Sequence, residues 1–337
     1  MPKGEYLQYG GQAIIEGVMM RSPRFFSVAC RAPNGEIVHQ TEAIESTWIG
    51  RQKWLKLPLL RGSLALLDAM ALGNKALKFA ASIQTEAKYQ KDATPEDFAA
   101  TEPSKKIQDA AVWTALIIGL VVGLALFKLV PNLISANVGP KLGFTHDWQT
   151  NLLTEAIVVT FFLGYIYLIG QVPDIKRIFM YHGAEHKAIN TMEAEQDLSI
   201  DNCLRQTRLH PRCGTSFAII VLIVSILCFT FLPRPHGFPP LMVGFLRFLM
   251  EIPLLFFIAG ISYELLRIAG KFRNATIIKA CFWPGLMSQY LTTREPDSSQ
   301  TEVALVALKE VLAAEERGGS TVPPHEDALE SAPIPIP

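Results

Sequence analysis

The segment Tyr181-His182-Gly183-Ala184-Glu185-His186-Lys187 holds the densest group of chemically capable side chains in the chain. Its core reads H-x-x-E-H. On a helix the two imidazoles lie one turn apart on one face, roughly 5–6 Å between Cβ atoms, so both can reach one metal ion. Glu185 beside them could orient or deprotonate a bound water, which makes it the candidate catalytic residue. The order reverses the H-E-x-x-H zinc motif and resembles the inverzincin arrangement. A second patch, His210-Pro211-Arg212-Cys213-Gly214, adds an imidazole and a thiol. These donor types imply a divalent metal, zinc foremost. His210, Cys213 and the distant Glu264 are the candidates that complete the metal site around His182 and His186. If His210 and Cys213 both bind, the site is closed by four protein ligands and structural; if only one does, a water can take the open position. Cys213 acting as a nucleophile with a histidine base is a weaker alternative. The plain alternative is a set of polar helix residues in ordinary hydrogen bonds, because so short a motif recurs by chance.

The elements around these residues follow from composition and pattern. Half of the 337 residues are hydrophobic and only 18% are charged, with a formal net charge of zero. No basic block offers a grip on nucleic acid. The 5 cysteines show no CxxC spacing, which excludes a disulfide framework. Apolar runs at 110–130, 152–172, 215–232 and 241–266 predict four transmembrane helices, each near the roughly 17–25 residues a bilayer needs. Lys176, Arg177, Lys187, Arg205, Arg208 and Arg212 crowd the 173–214 loop, and Arg267, Lys271, Arg273, Lys279 and Arg294 follow the last run. This bias predicts that the loop and both termini face the cytoplasm of a bacterial inner membrane. The N-terminus lacks a cleavable-signal pattern.

The expected fold is therefore mainly α: a polytopic membrane helical bundle with a small β-rich N-terminal cytoplasmic unit. Residues 1–53 form that unit, with a hairpin turning at Pro33-Asn34-Gly35. A helix over 54–83 lies on the membrane or packs on the bundle, and 84–109 is a mobile linker. The membrane domain spans 110–293, ending in an interfacial segment around Trp283-Pro284-Gly285. An amphipathic helix closes 294–318, and 319–337 is disordered. Ile175, Phe179, His182, His186 and Ile189 fall on one helical stripe, which puts H-x-x-E-H on a helix. Gly183 opposes this by roughly 1 kcal/mol relative to alanine. Within the fourth run, Arg247 and Glu251 stand four apart and are expected to pair inside the bundle, near Glu155.

The stretches GGQAIIEGVMMRSP (10–23), DIKRIFMYHGAEHKAINTMEAE (174–195), LHPRCGTSF (209–217), SYELLR (262–267) and LTTREPD (291–297) resemble the YqhQ-like bacterial proteins, domain of unknown function 1385. That resemblance implies a metal-dependent membrane protein without an established substrate. It carries a site role to His182, Glu185, His186, His210 and Cys213. The expected function is a metal-dependent membrane hydrolase at the cytoplasmic surface, acting on a lipid or a membrane-bound peptide. The alternatives are a scaffold with a structural metal and a small transporter or lipid-handling protein that uses Arg247 and Glu251. Partners are the bilayer itself and, for so few spans, a second copy of the chain.

Overall fold

The structure, a computed structural model, describes residues 9–44, 60–91, 105–211, 213–271 and 276–317. The expected tail at 319–337, most of the expected linker (92–104) and Arg212 and Arg273 lie outside the described residues.

Four short strands, β1 (Gly10–Ile14), β2 (Gly17–Arg21), β3 (Phe25–Arg31) and β4 (Ile37–Ala43), form an antiparallel meander in the order β1-β2-β3-β4. The β3–β4 hairpin turns at the predicted Pro33-Asn34-Gly35, with the Gly35 amide donating to the Ala32 carbonyl. Successive side chains of a strand point to opposite faces, and both faces here are covered. Val18, Met20, Phe25 and Ala29 pack against helices α5 (Pro173–Glu193) and α10 (Ser298–Glu316). Ile14, Met19, Phe26, Val28 and Cys30 pack against Leu72, Ala76, Ala80 and Ile83 of α1 (Leu60–Thr85). Double burial explains why β3 reads as a nearly unbroken apolar run rather than an alternating one.

Helix α1 thus places its small apolar stripe on the sheet and also lies along the last long membrane helix. Its Asp68 is buried in an ion pair with Arg21 at 2.9 Å. The first residues of the expected linker are ordered too. Tyr89 is buried in the α1 core and its carbonyl accepts from the Asn34 amide.

Three helical stretches among the described residues are long and apolar enough to cross a membrane, rather than the four expected. They are Trp113–Leu142, Asp147–Ile169 (α4) and Pro240–Leu265, most of α8 (Pro240–Lys271). The first joins α2 (Lys105–Leu124) to α3 (Val130–Val138) through a π-helical turn at Ala125–Leu129. The remaining apolar run folds as α7, Gly214–Thr230, of 17 residues. At about 1.5 Å per residue it reaches roughly 25 Å, the lower limit of what a span needs, and the carbonyls of Thr230 and Leu232 at its end accept from Asn151 at the start of α4. Both its ends are committed elsewhere. Cys213 caps its first turn and belongs to the site below, and the chain turns at Leu232-Pro233. The segment expected at the interface forms helix α9 (Thr276–Thr292), packed along α7.

Arg247 and Glu251 do pair, at 3.2 Å, both almost fully buried. Arg247 also donates to the carbonyls of Phe229, Leu232 and Pro233, closing the C-terminal end of α7. Lys128, in the π-helical turn, lies 3.2 Å from Glu251 and 4.0 Å from Glu155. The group is remote in sequence from H-x-x-E-H and supplies the polar closure of the helix ends.

Candidate metal centre

Helix α5 starts at Pro173, a residue suited to the first helical position, and carries H-x-x-E-H about its middle. His182 and His186 share a face, with ring centroids 4.4 Å apart. His182 Nδ1 lies 2.9 Å from the backbone carbonyl of Thr292, and His186 Nδ1 lies 2.6 Å from that of Arg208. A carbonyl only accepts, so each Nδ1 must be the protonated nitrogen. Each neutral ring then keeps its lone pair on Nε2. This is the arrangement by which histidine ligands are held in one tautomer.

Both free edges face Cys213. Its Sγ is 3.0 Å from His182 Nε2, and one donor atom from each of the three residues lies within 4.8 Å of the others. His186 Nε2 is buried without a well-formed hydrogen bond, although the thiol lies beside it. The donor set of two imidazoles and a thiol, with one buried lone pair unclaimed, fits a borderline-soft divalent ion such as zinc.

Burial and neighbours tune these groups. Burial holds His186 below the usual imidazole range. For Cys213 burial acts upward, but the His186 ring and the Thr215 hydroxyl and amide outweigh it, and the thiol is pulled below its usual value. Glu185 sits behind the trio, 4% exposed. Burial pushes its carboxyl up to about 8, with His182 pulling partly the other way. The Gly11 amide of β1 supports this carboxyl, while Oε2 has no hydrogen-bond partner. A Cβ on Gly11 would come within 2.8 Å of Glu185 Cδ, so β1 can press on the carboxyl only as glycine.

The loop between α5 and α7 is drawn onto the site by long-range polar contacts. Lys187 donates to the carbonyls of Leu204 and Gln206, and Asn190 to those of Thr207 and Leu209. From α9, Gln289 accepts from the His210 amide at 2.8 Å and donates to the His210 carbonyl at 2.7 Å. The chain after α9 crosses α5 at Gly183. The Arg294 amide donates to the Phe179 carbonyl, and a Cβ on Gly183 would stand 2.1 Å from the Arg294 oxygen. The glycine that weakened the helical reading is there because a second backbone passes over it.

Of the predicted site residues, the structure gathers His182, Glu185, His186 and Cys213. His210 is buried nearby, its ring centroid 5.7 Å from that of His186, but its Nε2 points to Glu193 Oε1 at 3.5 Å. Burial holds it down to about 4. Glu264, half-buried on α8, is not in the group. Glu16 pairs with Arg177 and Tyr181, and Arg21 with Asp68. Gly11, Arg208, Gln289 and Thr292 were not singled out by residue type. Gly11 and Thr292 do fall inside the stretches that carry the family resemblance.

The profile of the family described as "Protein of unknown function (DUF1385)" matches residues 57–314. The chain is 33% identical over 312 residues, 91% of its length, to "Uncharacterized protein YqhQ" of Bacillus subtilis (strain 168), covering 93% of that protein. No solved structure matches.

Proposed function

This chain belongs to the DUF1385 family, which has no described activity, and from its site we propose that it is a metal-dependent membrane hydrolase working at the cytoplasmic membrane surface. The observation that carries this reading is the trio of His182, His186 and Cys213 with a buried carboxyl behind it. Three protein donors leave a coordination position open, the mark of a catalytic rather than a structural site. His182, His186 and Cys213 would hold the ion, which would supply Lewis-acid activation of water and, by its charge, favour ionised Glu185. The carbonyls of Thr292 and Arg208 hold the two rings in the ligating tautomer. Glu185 Oε2, without another partner, takes up and returns a proton. The Lys and Arg bias of the connections supports a cytoplasmic placement of the site.

The burial of His186 and Glu185 favours a second reading, a structural zinc that locks the loop onto the sheet unit. Metal analysis of purified wild type, His182→Ala, Cys213→Ala, His210→Ala and Glu185→Gln separates the two. The hydrolase reading expects stoichiometric zinc in wild type, His210→Ala and Glu185→Gln, and loss in the other two. Glu185→Gln should also abolish turnover. Zinc lost equally from His210→Ala would make the site four-liganded and structural. Wild-type protein free of metal after purification without chelators would end both readings.

A further inference from the structure

A cavity of about 250 Å³ lies between α4, α7 and α9. Its walls are largely apolar, with Leu163 from α4, Ala218 from α7 and Leu291 from α9, and Thr215 and Thr292 also line it. Those two threonines touch the trio. Thr215 Oγ1 is 3.2 Å from Cys213 Sγ, and the Thr292 carbonyl accepts from His182. The apolar cavity therefore adjoins the polar centre through these two residues.

The cavity also borders the apolar outer surface of α4. Helix α4 is one of the three stretches able to cross a membrane, and Leu163 is 39% exposed while lining the cavity. The apolar surface continues along α4 through exposed Tyr167 and Leu168. An entrance on that surface is reached from within the lipid phase. A polar solute would have to shed its hydration to use it, whereas an acyl chain moves between two apolar surroundings.

We propose that this groove holds an acyl chain of a membrane glycerolipid, with the chain's polar end delivered to the His182–His186–Cys213 centre. The substrate class of the site is then a glycerolipid rather than a soluble metabolite or a peptide. The assignment of a substrate rests on the hydrolase reading; occupancy of the groove rests only on its geometry.

The test uses the full chain in vesicles of phosphatidylethanolamine and phosphatidylglycerol. A trace of phosphatidylglycerol carries a photoreactive diazirine at the end of one acyl chain. After irradiation, labelled peptides are mapped. Labelling should concentrate on α4, α7 and α9 around Leu163, Ala218 and Leu291, above that of the exposed Leu120 and Val121 on α2. Ala218→Phe and, independently, Leu163→Trp fill the groove. Each should cut labelling there about tenfold, equivalent to about 1.4 kcal/mol, while labelling of α2 and zinc content stay unchanged. Labelling spread evenly over both faces, or unaffected by either variant, overturns the proposal, as does displacement of the lipid by a hydrophobic membrane peptide. His182→Ala keeps the two failures apart. Groove labelling that persists in a chain shown to bind no metal removes the hydrolase and leaves the lipid site. Zinc without groove labelling removes the lipid site alone.

Discussion

Replacing Gly183 by alanine sets two effects of opposite sign against each other. In the interior of α5 the substitution should gain about 0.8–1.0 kcal/mol from helix propensity. The new Cβ would stand 2.1 Å from the Arg294 carbonyl oxygen, and ordinary contact begins near 3.4 Å. That carbonyl must retreat by well over an ångström, and it is not free to do so. The Arg294 amide is bonded to Phe179 at 2.8 Å, Arg208 holds the Thr293 carbonyl, and Lys187 and Arg208 hold Glu295. Forcing a methyl into such a contact costs about 1–3 kcal/mol. The cost outweighs the gain, so Gly183→Ala should be less stable by about 1 kcal/mol or more. The same shift would move the Thr292 carbonyl that orients His182, and loss of such a support typically lowers metal affinity about 10–100-fold. Thermal unfolding in detergent, followed by circular dichroism, reads the first effect, and zinc competition against a chromophoric chelator reads the second. Gly123→Ala is the control, because a Cβ there meets nothing within 4 Å and only the propensity gain should remain. A Gly183→Ala protein as stable as Gly123→Ala, with unchanged zinc affinity, would refute the crossing of the 294 backbone over the motif.

Two further perturbations test other parts of the structure. Arg247→Met removes the donor to the last carbonyls of α7 and leaves Glu251 to Lys128 and Asn132; the loss should be at or below the roughly 3–5 kcal/mol of a fully unpaired buried charge, and an unchanged thermal midpoint would exclude the pairing described. His210 is held down to about 4 by burial against an ordinary value near 6.5, so below pH 6.5 the unfolded chain takes a proton that the folded chain refuses. Stability from this residue is present above about 6.5 and lost as pH falls toward 4. His210→Gln should flatten that acid limb in a pH series of thermal midpoints, and an identical limb in both proteins would show that His210 is not buried neutral.

Features governed by neighbours along the chain were legible in the sequence. The Pro33-Asn34-Gly35 turn is a property of three consecutive residues. The start of α10, capped reciprocally by Asp297 and Gln300, depends on residues three apart. His182 and His186 share a face because an α-helix repeats every 3.6 residues. Apolar runs were equally plain, but the length of the helix each one forms depends on where its ends are tied. A site residue caps α7 at one end and Arg247 closes it at the other, which limits it to 17 residues.

Choosing among the predicted ligands required the tertiary structure. His210 and Cys213 are equally near the motif in sequence. Gln289, 79 residues beyond His210, grips the His210 backbone, while Cys213 turns inward. The tautomers of the two histidines are set by carbonyls 110 and 22 residues away, and the setting of Glu185 by Gly11 at the other end of the chain. Residue type and spacing specify which atoms can donate. Their direction is set by hydrogen bonds and close backbone contacts between segments that meet only once the chain is folded, and periodicity along the sequence carries no trace of them.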